Sequence, residues 1–257
     1  MPDTSVRLAV LIDADNTPSS RARDLLEEIA RYGTPTVKRA YGDWTGPQLG
    51  GWKVALNHNA IQPVQQFAYT TGKNATDSAL IIDAMDLLYA GNLDAFAIVS
   101  SDSDFTRLAT RLRESGKTVY GLGQRKTPES FEKACDKFIY LEVIGREAQE
   151  DTPAQEQDPS LPNLRKMLTR AINATSHDDG WTNLSLVGSY LNNSNASFDA
   201  RNYGFGKLSA LIRAQEYVEV GSDKQTPLRL RLREAATKAA KKAPARKRAA
   251  KKSTEQA

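Results

Sequence analysis

Residues 95–109 read AFAIVSSDSDFTRLA: an apolar run, then two aspartates two positions apart, then the start of an amphipathic stretch. AFAIVS (95–100) has the length and make-up of a buried strand, and DFTRLATRLRESG (104–116) has helical spacing. Asp102 and Asp104 sit at the junction. The same alternation recurs on both sides. RLAVLID (7–13) reads as a strand and SSRARDLLEEIARYG (19–33) as a helix ended by Gly33. TVKRAY (36–41), a helix near residues 48–57 and VQQFAY (64–69) come next, followed by TDSALIIDAMDLLYAG (76–91) as a helix. After the quoted stretch, TVYGLG (118–123), a short helix around residues 129–135 and FIYLEV (138–143) close the series. Apolar strands separated by helices of 3.6-residue period predict an α/β fold, a parallel sheet with helices on both faces.

Composition sets the frame. The chain has 257 residues, 40% of them hydrophobic and 26% charged, which describes an ordinary soluble protein with one medium and one smaller domain. One cysteine, Cys135, excludes an internal disulfide and a cysteine-based zinc site, and reads as a buried apolar residue in a reducing compartment. No leader and no apolar run of membrane-spanning length is seen, so the expectation is a cytoplasmic protein without a membrane partner. The net charge of +4 is uneven. Residues 229–257 hold 11 Lys/Arg against 2 Glu, and residues 1–228 hold 24 against 29 Asp/Glu. The basicity belongs to the tail.

In a parallel sheet the ligand crevice lies beyond the carboxyl ends of the strands, and the sequence sends acids there repeatedly. Asp13 ends the first strand, with Asp15 and Asn16 in the turn after it. Asp77 opens a helix and lies in phase with Leu80, Ile81, Ala84, Leu87 and Leu88, while Asp83 and Asp86 fall on the solvent side. Each acid has a plain structural reading: Asp77 as a helix-start residue and Asp102 as an N-cap. Asp13 is harder to explain so, because a carboxylate closing a buried run is costly unless something compensates. Three segments aiming acids at one edge call for a cation, and hard oxygen ligands suit Mg²⁺ or Mn²⁺. His58 reads as a surface or packing residue. Lys73, Lys38 and Arg39 are expected near the same edge, with phosphate contact or simple solvation as alternatives.

Two families compete for this pattern. LIDADNT (11–17) resembles the motif of haloacid-dehalogenase-like phosphatases, but neither later strand is followed by the acidic pair that family needs. VLIDADN, KNATDSALIIDAM and AIVSSDSDFTRLATRLRESGKTVYGLG, over about residues 6–142, together resemble the NYN domain, a branch of the PIN-like nucleases. The resemblance implies a metal-dependent ribonuclease whose acidic set is matched by Asp13, Asp77, Asp102 and Asp104, with Asn16 as polar companion. Asp15 departs from the family pattern, and Ser101 and Ser103 are placed to shape the turn. An RNA-binding regulator that does not cut is the alternative.

Residues 146–160 form a polar linker without periodicity, which gives domain bounds of 1–145 and 161–233. In the second unit LRKMLTRAI, LSLVGSYL and YGFGKLSALIRA are expected as three helices, and EYVEVG with PLRLRLR as a two-stranded wing. This winged helix-turn-helix pattern resembles an OST-HTH/LOTUS domain through DGWTNLSLVGSYL and YGFGKLSALIRA, which implies RNA or protein contact. Lys207 and Arg213 on the third helix, and Arg229, Arg231 and Arg233 along the wing, are the candidates for nucleic acid. Tyr203, Phe205 and Trp181 are expected in the core. Residues 234–257 are low in complexity and read as a disordered basic tail, with affinity for the phosphates of single-stranded or structured RNA and possible contact with DNA.

Overall fold

Six consecutive buried residues, Leu8 to Asp13, make up nearly all of strand β1 (Arg7–Asp13), a pattern that only a strand covered on both faces carries. In the computed structural model, which describes residues 6–67, 75–145, 161–221 and 228–233, β1 is the middle of a sheet. Strand β2 (Thr34–Gly42) and β3 (Gln62–Gln65) extend it on one side. Strands β4 (Ala95–Val99), β5 (Thr118–Gly123) and β6 (Lys137–Tyr140) extend it on the other. The order is β3-β2-β1-β4-β5-β6 and every neighbouring pair is parallel. The expected parallel sheet flanked by helices is therefore present.

Alternate residues feed two cores. Leu8, Val10, Ile12, Ala97 and Val99 meet Leu25 and Ile29 of helix α1 (Ala22–Ile29) and Trp52 and Leu56 of α2 (Trp52–His58). Ala9, Leu11, Phe96 and Ile98 meet Leu80, Ala84 and Leu88 of α3 (Ala75–Tyr89). The same face takes Leu108 and Leu112 of α4 (Thr106–Glu114) and Phe131 of α5 (Glu129–Ala134). Each such large side chain contributes about 1.5–3 kcal/mol on burial.

The chain builds β1 to β3 outward in one direction, crosses back through α3, and builds β4 to β6 in the other. The strand order thus reverses between β1 and β4, and the crevice beyond their carboxyl ends is the fold's natural ligand site. Pairing of Ile12 with Val99 sets Asp13 beside the residues that follow β4.

Some expectations shift. FIYLEV (138–143) is strand only to Tyr140 and then turns as a 3-10 helix, Leu141–Val143. β3 begins at Gln62 and ends at Gln65, while residues 68 and 69 of the expected strand lie outside the described residues. The linker at 146–160 and the tail from 234 also lie outside them.

In the second unit, α6 (Leu164–Thr175) and α7 (Leu184–Ser194) form as expected. The third helical stretch is broken: a 3-10 turn at Ala200–Tyr203, then Gly204 at φ 86°, then α8 (Leu208–Arg213). The wing has three strands in the order β7-β9-β8, not two. Strand β7 (Thr182–Asn183) pairs antiparallel with β9 (Arg229–Leu232), which pairs with β8 (Val218–Gly221). Two residues are too few to show an alternating pattern, so β7 is invisible in the sequence. Tyr203 and Phe205 are in the core, as expected.

The two units touch at the β6 edge. Phe138 N–H donates to the Ala196 carbonyl at 2.9 Å, giving an edge-strand amide a partner. Arg201 forks onto Glu28 of α1 at 2.9 and 2.7 Å and is braced by Asp199 at 2.7 Å. Burial alone would raise the Glu28 carboxyl, yet the Arg201 fork holds it below its ordinary value.

Candidate metal centre

Asp13 is fully buried, and its carboxylate is saturated. Oδ2 accepts from Asn16 Nδ2 and from Ser100 Oγ, both at 2.7 Å, and Oδ1 accepts the amides of Asp15 and Asn16 at 3.2 and 3.3 Å. An ionised carboxylate offers about four acceptor positions, so these bonds use them all. Burial raises the Asp13 carboxyl above its ordinary value, against the pull of Asn16 and Ser100. Ser100 is the hinge of the site: its Oγ also accepts the Asp102 amide at 3.1 Å. One buried hydroxyl thereby joins the carboxyl ends of β1 and β4.

Asp102 caps the 3-10 turn Ser103–Phe105, its Oδ1 accepting the Asp104 amide at 2.9 Å. The capping reading is correct and insufficient, because Asp77, Asp102 and Asp104 each place an oxygen within 4.8 Å of the other two. Asp77 comes from the first turn of α3. That helix is tied to the turn after β1 by Thr76 Oγ1, which donates to Asp15 Oδ2 at 3.0 Å. Burial pushes the Asp77 carboxyl up to about 6, and the charges of Asp13, Asp102, Asp104 and Asp15 add to it. Three converging carboxylates with a displaced titration fit a hard divalent cation. Of the four expected acids, then, three converge and Asp13 stands beside them, coupled by charge. To ligate directly, Asp13 has to release Asn16 or Ser100.

The basic candidates fare differently. Arg39 pairs in register with Leu11, two residues behind the edge marked by Asp13 and Tyr41, and is bound to Asp83. Asp83, expected on the solvent side, turns to the sheet and also accepts the Tyr41 hydroxyl. Phase arguments miss this, because a partly buried guanidinium and phenol draw the carboxylate inward. Lys38 donates to the Asn59 carbonyl at 2.6 Å, away from the acids. Lys73 lies outside the described residues. His58 is exposed at the end of α2. Cys135 is buried, and that burial raises its thiol.

Lys207 is exposed at the N-cap of α8, ahead of the helix, and Arg213 is exposed in its last turn. Arg229 and Arg231 are paired with Asp179 and Glu219, each at 2.8 Å. Trp181 is not core but partly exposed on the wing.

Sequence reasoning missed Ser100 and Thr76. The available signal for Ser100 was a polar residue closing an apolar strand opposite Asp13. It also missed the carboxyl end of β5, where Gln124 N–H donates to Ser101 Oγ at 2.8 Å and exposed Lys126 follows two residues later. Ser101 thus shapes the turn as expected, and the Ser103 carbonyl accepts the Thr106 hydroxyl.

Two family models match the chain. The NYN domain family matches residues 7–142 and the OST-HTH/LOTUS domain family matches residues 159–229. No curated protein matches the chain. Among solved structures, a protein of unknown function from Vibrio parahaemolyticus is 18% identical, with TM-score 0.46, over 55% of this chain and 95% of that one. An uncharacterised protein from Nitrosomonas europaea is 31% identical, with TM-score 0.27, over 35% of this chain and 92% of that one. Among the described residues no helix is long and apolar enough to cross a membrane. The chain belongs to the NYN domain family, within the PIN-like nuclease superfamily, and carries an OST-HTH/LOTUS domain of winged-helix type behind its NYN domain.

Proposed function

We propose that the protein is a metal-dependent ribonuclease that hydrolyses RNA phosphodiester bonds. The observation that supports this reading is the convergence of Asp77, Asp102 and Asp104 at the switch point of an NYN sheet. Asp77, Asp102 and Asp104 would hold Mg²⁺ or Mn²⁺, and such an ion would supply Lewis-acid polarisation of the phosphodiester and activation of a water. Asp13 adds negative charge beneath them and, through Ser100, fixes the turn that carries Asp102. Asn16 keeps Asp13 in place. Lys207, Arg213, Arg229 and Arg231 contact RNA from the second domain, and the basic tail from residue 234 adds salt-sensitive attraction to RNA or DNA backbones.

The test uses labelled single-stranded RNA and protein stripped with EDTA, with Mg²⁺ or Mn²⁺ then restored. Cleavage that returns only with the metal is expected. Equal cleavage in EDTA refutes metal dependence, and binding without cleavage in any metal favours the regulator.

A further inference from the structure

The wing carries an aromatic group that the expected core placement of Trp181 does not explain. Along β9, Arg229 and Arg231 flank Leu230, which is fully buried, so both arginines stand on the outer face. Trp181 lies across that face, its ring 5.6 Å from the Arg229 guanidinium carbon and 4.7 Å from that of Arg231. The position is built for it. Gly221 faces Arg229 in the register, and a Cβ there would stand 3.0 and 3.1 Å from two indole carbons. Even an added methyl would press on the ring and require it to give by a few tenths of an ångström. Asp179 accepts the Trp181 amide at 3.0 Å and Arg229 at 2.8 Å, while Glu219 accepts Arg231 at 2.8 Å. Both guanidiniums are thus held in place with nearly half their side-chain surface open, 45% and 43%. Arg233 continues the outer row and, with Arg231, helps hold Glu219 below its ordinary value.

We propose that the Trp181–Arg229–Arg231 stack on the outer face of the wing binds an unpaired base of single-stranded RNA together with its adjoining phosphate. A fixed planar ring beside fixed guanidinium planes is the surface on which splayed bases stack, and three arginines against two acids leave a positive balance for the phosphate. The inference rests on RNA as the chain's ligand, as proposed above, and not on cleavage.

The experiment uses the full chain with Asp104→Asn, which is to bind RNA without cutting it. Anisotropy is read on a labelled single-stranded RNA and on an abasic ribose-phosphate strand of equal length. Trp181→Leu keeps an apolar cover on the wing but removes the π surface. It is expected to weaken RNA binding about tenfold, within the range for one stacked base, and to leave the abasic strand unaffected. Trp181→Phe should restore most of the RNA affinity. RNA binding unchanged in Trp181→Leu, or equal losses for both strands, overturns the proposal. Should Trp181→Leu not fold, the chain labelled with 5-fluorotryptophan gives the readout by ¹⁹F NMR. The Trp181 resonance, identified by its loss in Trp181→Phe, must shift on RNA addition, and a stationary line overturns the proposal. Cleavage by the unsubstituted chain is scored separately, so binding through Trp181 without cutting refutes only the nuclease reading.

Discussion

Replacing Asp77 by Asn is expected to reverse its effect on stability according to whether a divalent cation is present. Without metal, burial, and after it the charges of the neighbouring acids, keep the Asp77 carboxyl at about 6 against an ordinary 3.8. A displacement of about 2 units corresponds to about 3 kcal/mol of unfavourable ionisation. The side chain is only half-buried, so solvent screening reduces this to about 1 kcal/mol. Loss of the favourable charge at the start of α3 takes back about 0.3–1 kcal/mol. In EDTA at pH 7.5 the Asn variant should therefore melt at or up to about 3 °C above wild type.

With Mn²⁺ at 100 times its dissociation constant, wild type gains about 2.7 kcal/mol. For a protein of this size that is about 5–10 °C. The variant, lacking one of three converging oxygens, should gain little, so the two melting temperatures cross. Because the folded-state pKa of Asp77 is raised, its unfavourable contribution is absent at pH 3.8 and below and develops as pH rises through about 6. Metal-free wild type should lose stability relative to Asp77→Asn over that interval. Differential scanning fluorimetry with and without EDTA measures all of this. A variant that melts below wild type in EDTA and gains as much from Mn²⁺ would refute the reasoning.

Three further outcomes are expected. Arg201→Ala removes the fork but leaves Glu28 with Arg31 at 3.1 Å and the Tyr32 hydroxyl at 3.2 Å, so the cost should fall below the about 3–5 kcal/mol of a buried charge left with no partner; calorimetry should resolve separate transitions for the two domains, and a single unchanged transition contradicts the contact. Glu28 and Asp199 both titrate below their ordinary 4.5 and 3.8, so the clamp is intact above those values and lost as pH falls beneath them; small-angle scattering should show the domains separating in acid and not at neutral pH. Gly123→Ala places a Cβ 2.6 Å from the Ser100 carbonyl oxygen, so the turn carrying Asp102 must shift; Mn²⁺ affinity measured by titration calorimetry should fall about 10–100-fold, as for lost supporting contacts in other metal sites.

What was legible in the sequence follows from what is local or periodic. The strand at 7–13 and the helices around it declare themselves by continuous or 3.6-period apolar runs, and the strand-end position of Asp13 follows from one of those runs. The helix phase of α3 placed Asp77 on the inner side correctly but sent Asp83 to solvent, because phase knows nothing of Arg39 and Tyr41 on another element. Lys38 and Arg39 are expected near the edge, but β2 runs from Thr34 to Gly42 and its register with β1 leaves both mid-strand, a pairing the sequence does not display. Ser100 was hidden for a similar reason, since its hydroxyl matters only through the β1–β4 register. Trp181 is expected in the core and stands partly exposed, because the wing's outer face, assembled from β7, β8 and β9, is a tertiary object.

Initial rates of single-stranded RNA cleavage in saturating Mn²⁺, compared between wild type and the folded variants Asp102→Asn and Asp104→Asn, test the central claim most directly. Even supporting contacts of a metal site are commonly worth about 10–100-fold, so loss of a converging carboxylate should lower the rate by about 100-fold or more in each variant. Wild-type rates in both would contradict the assignment of the Asp77–Asp102–Asp104 cluster as the cleaving site.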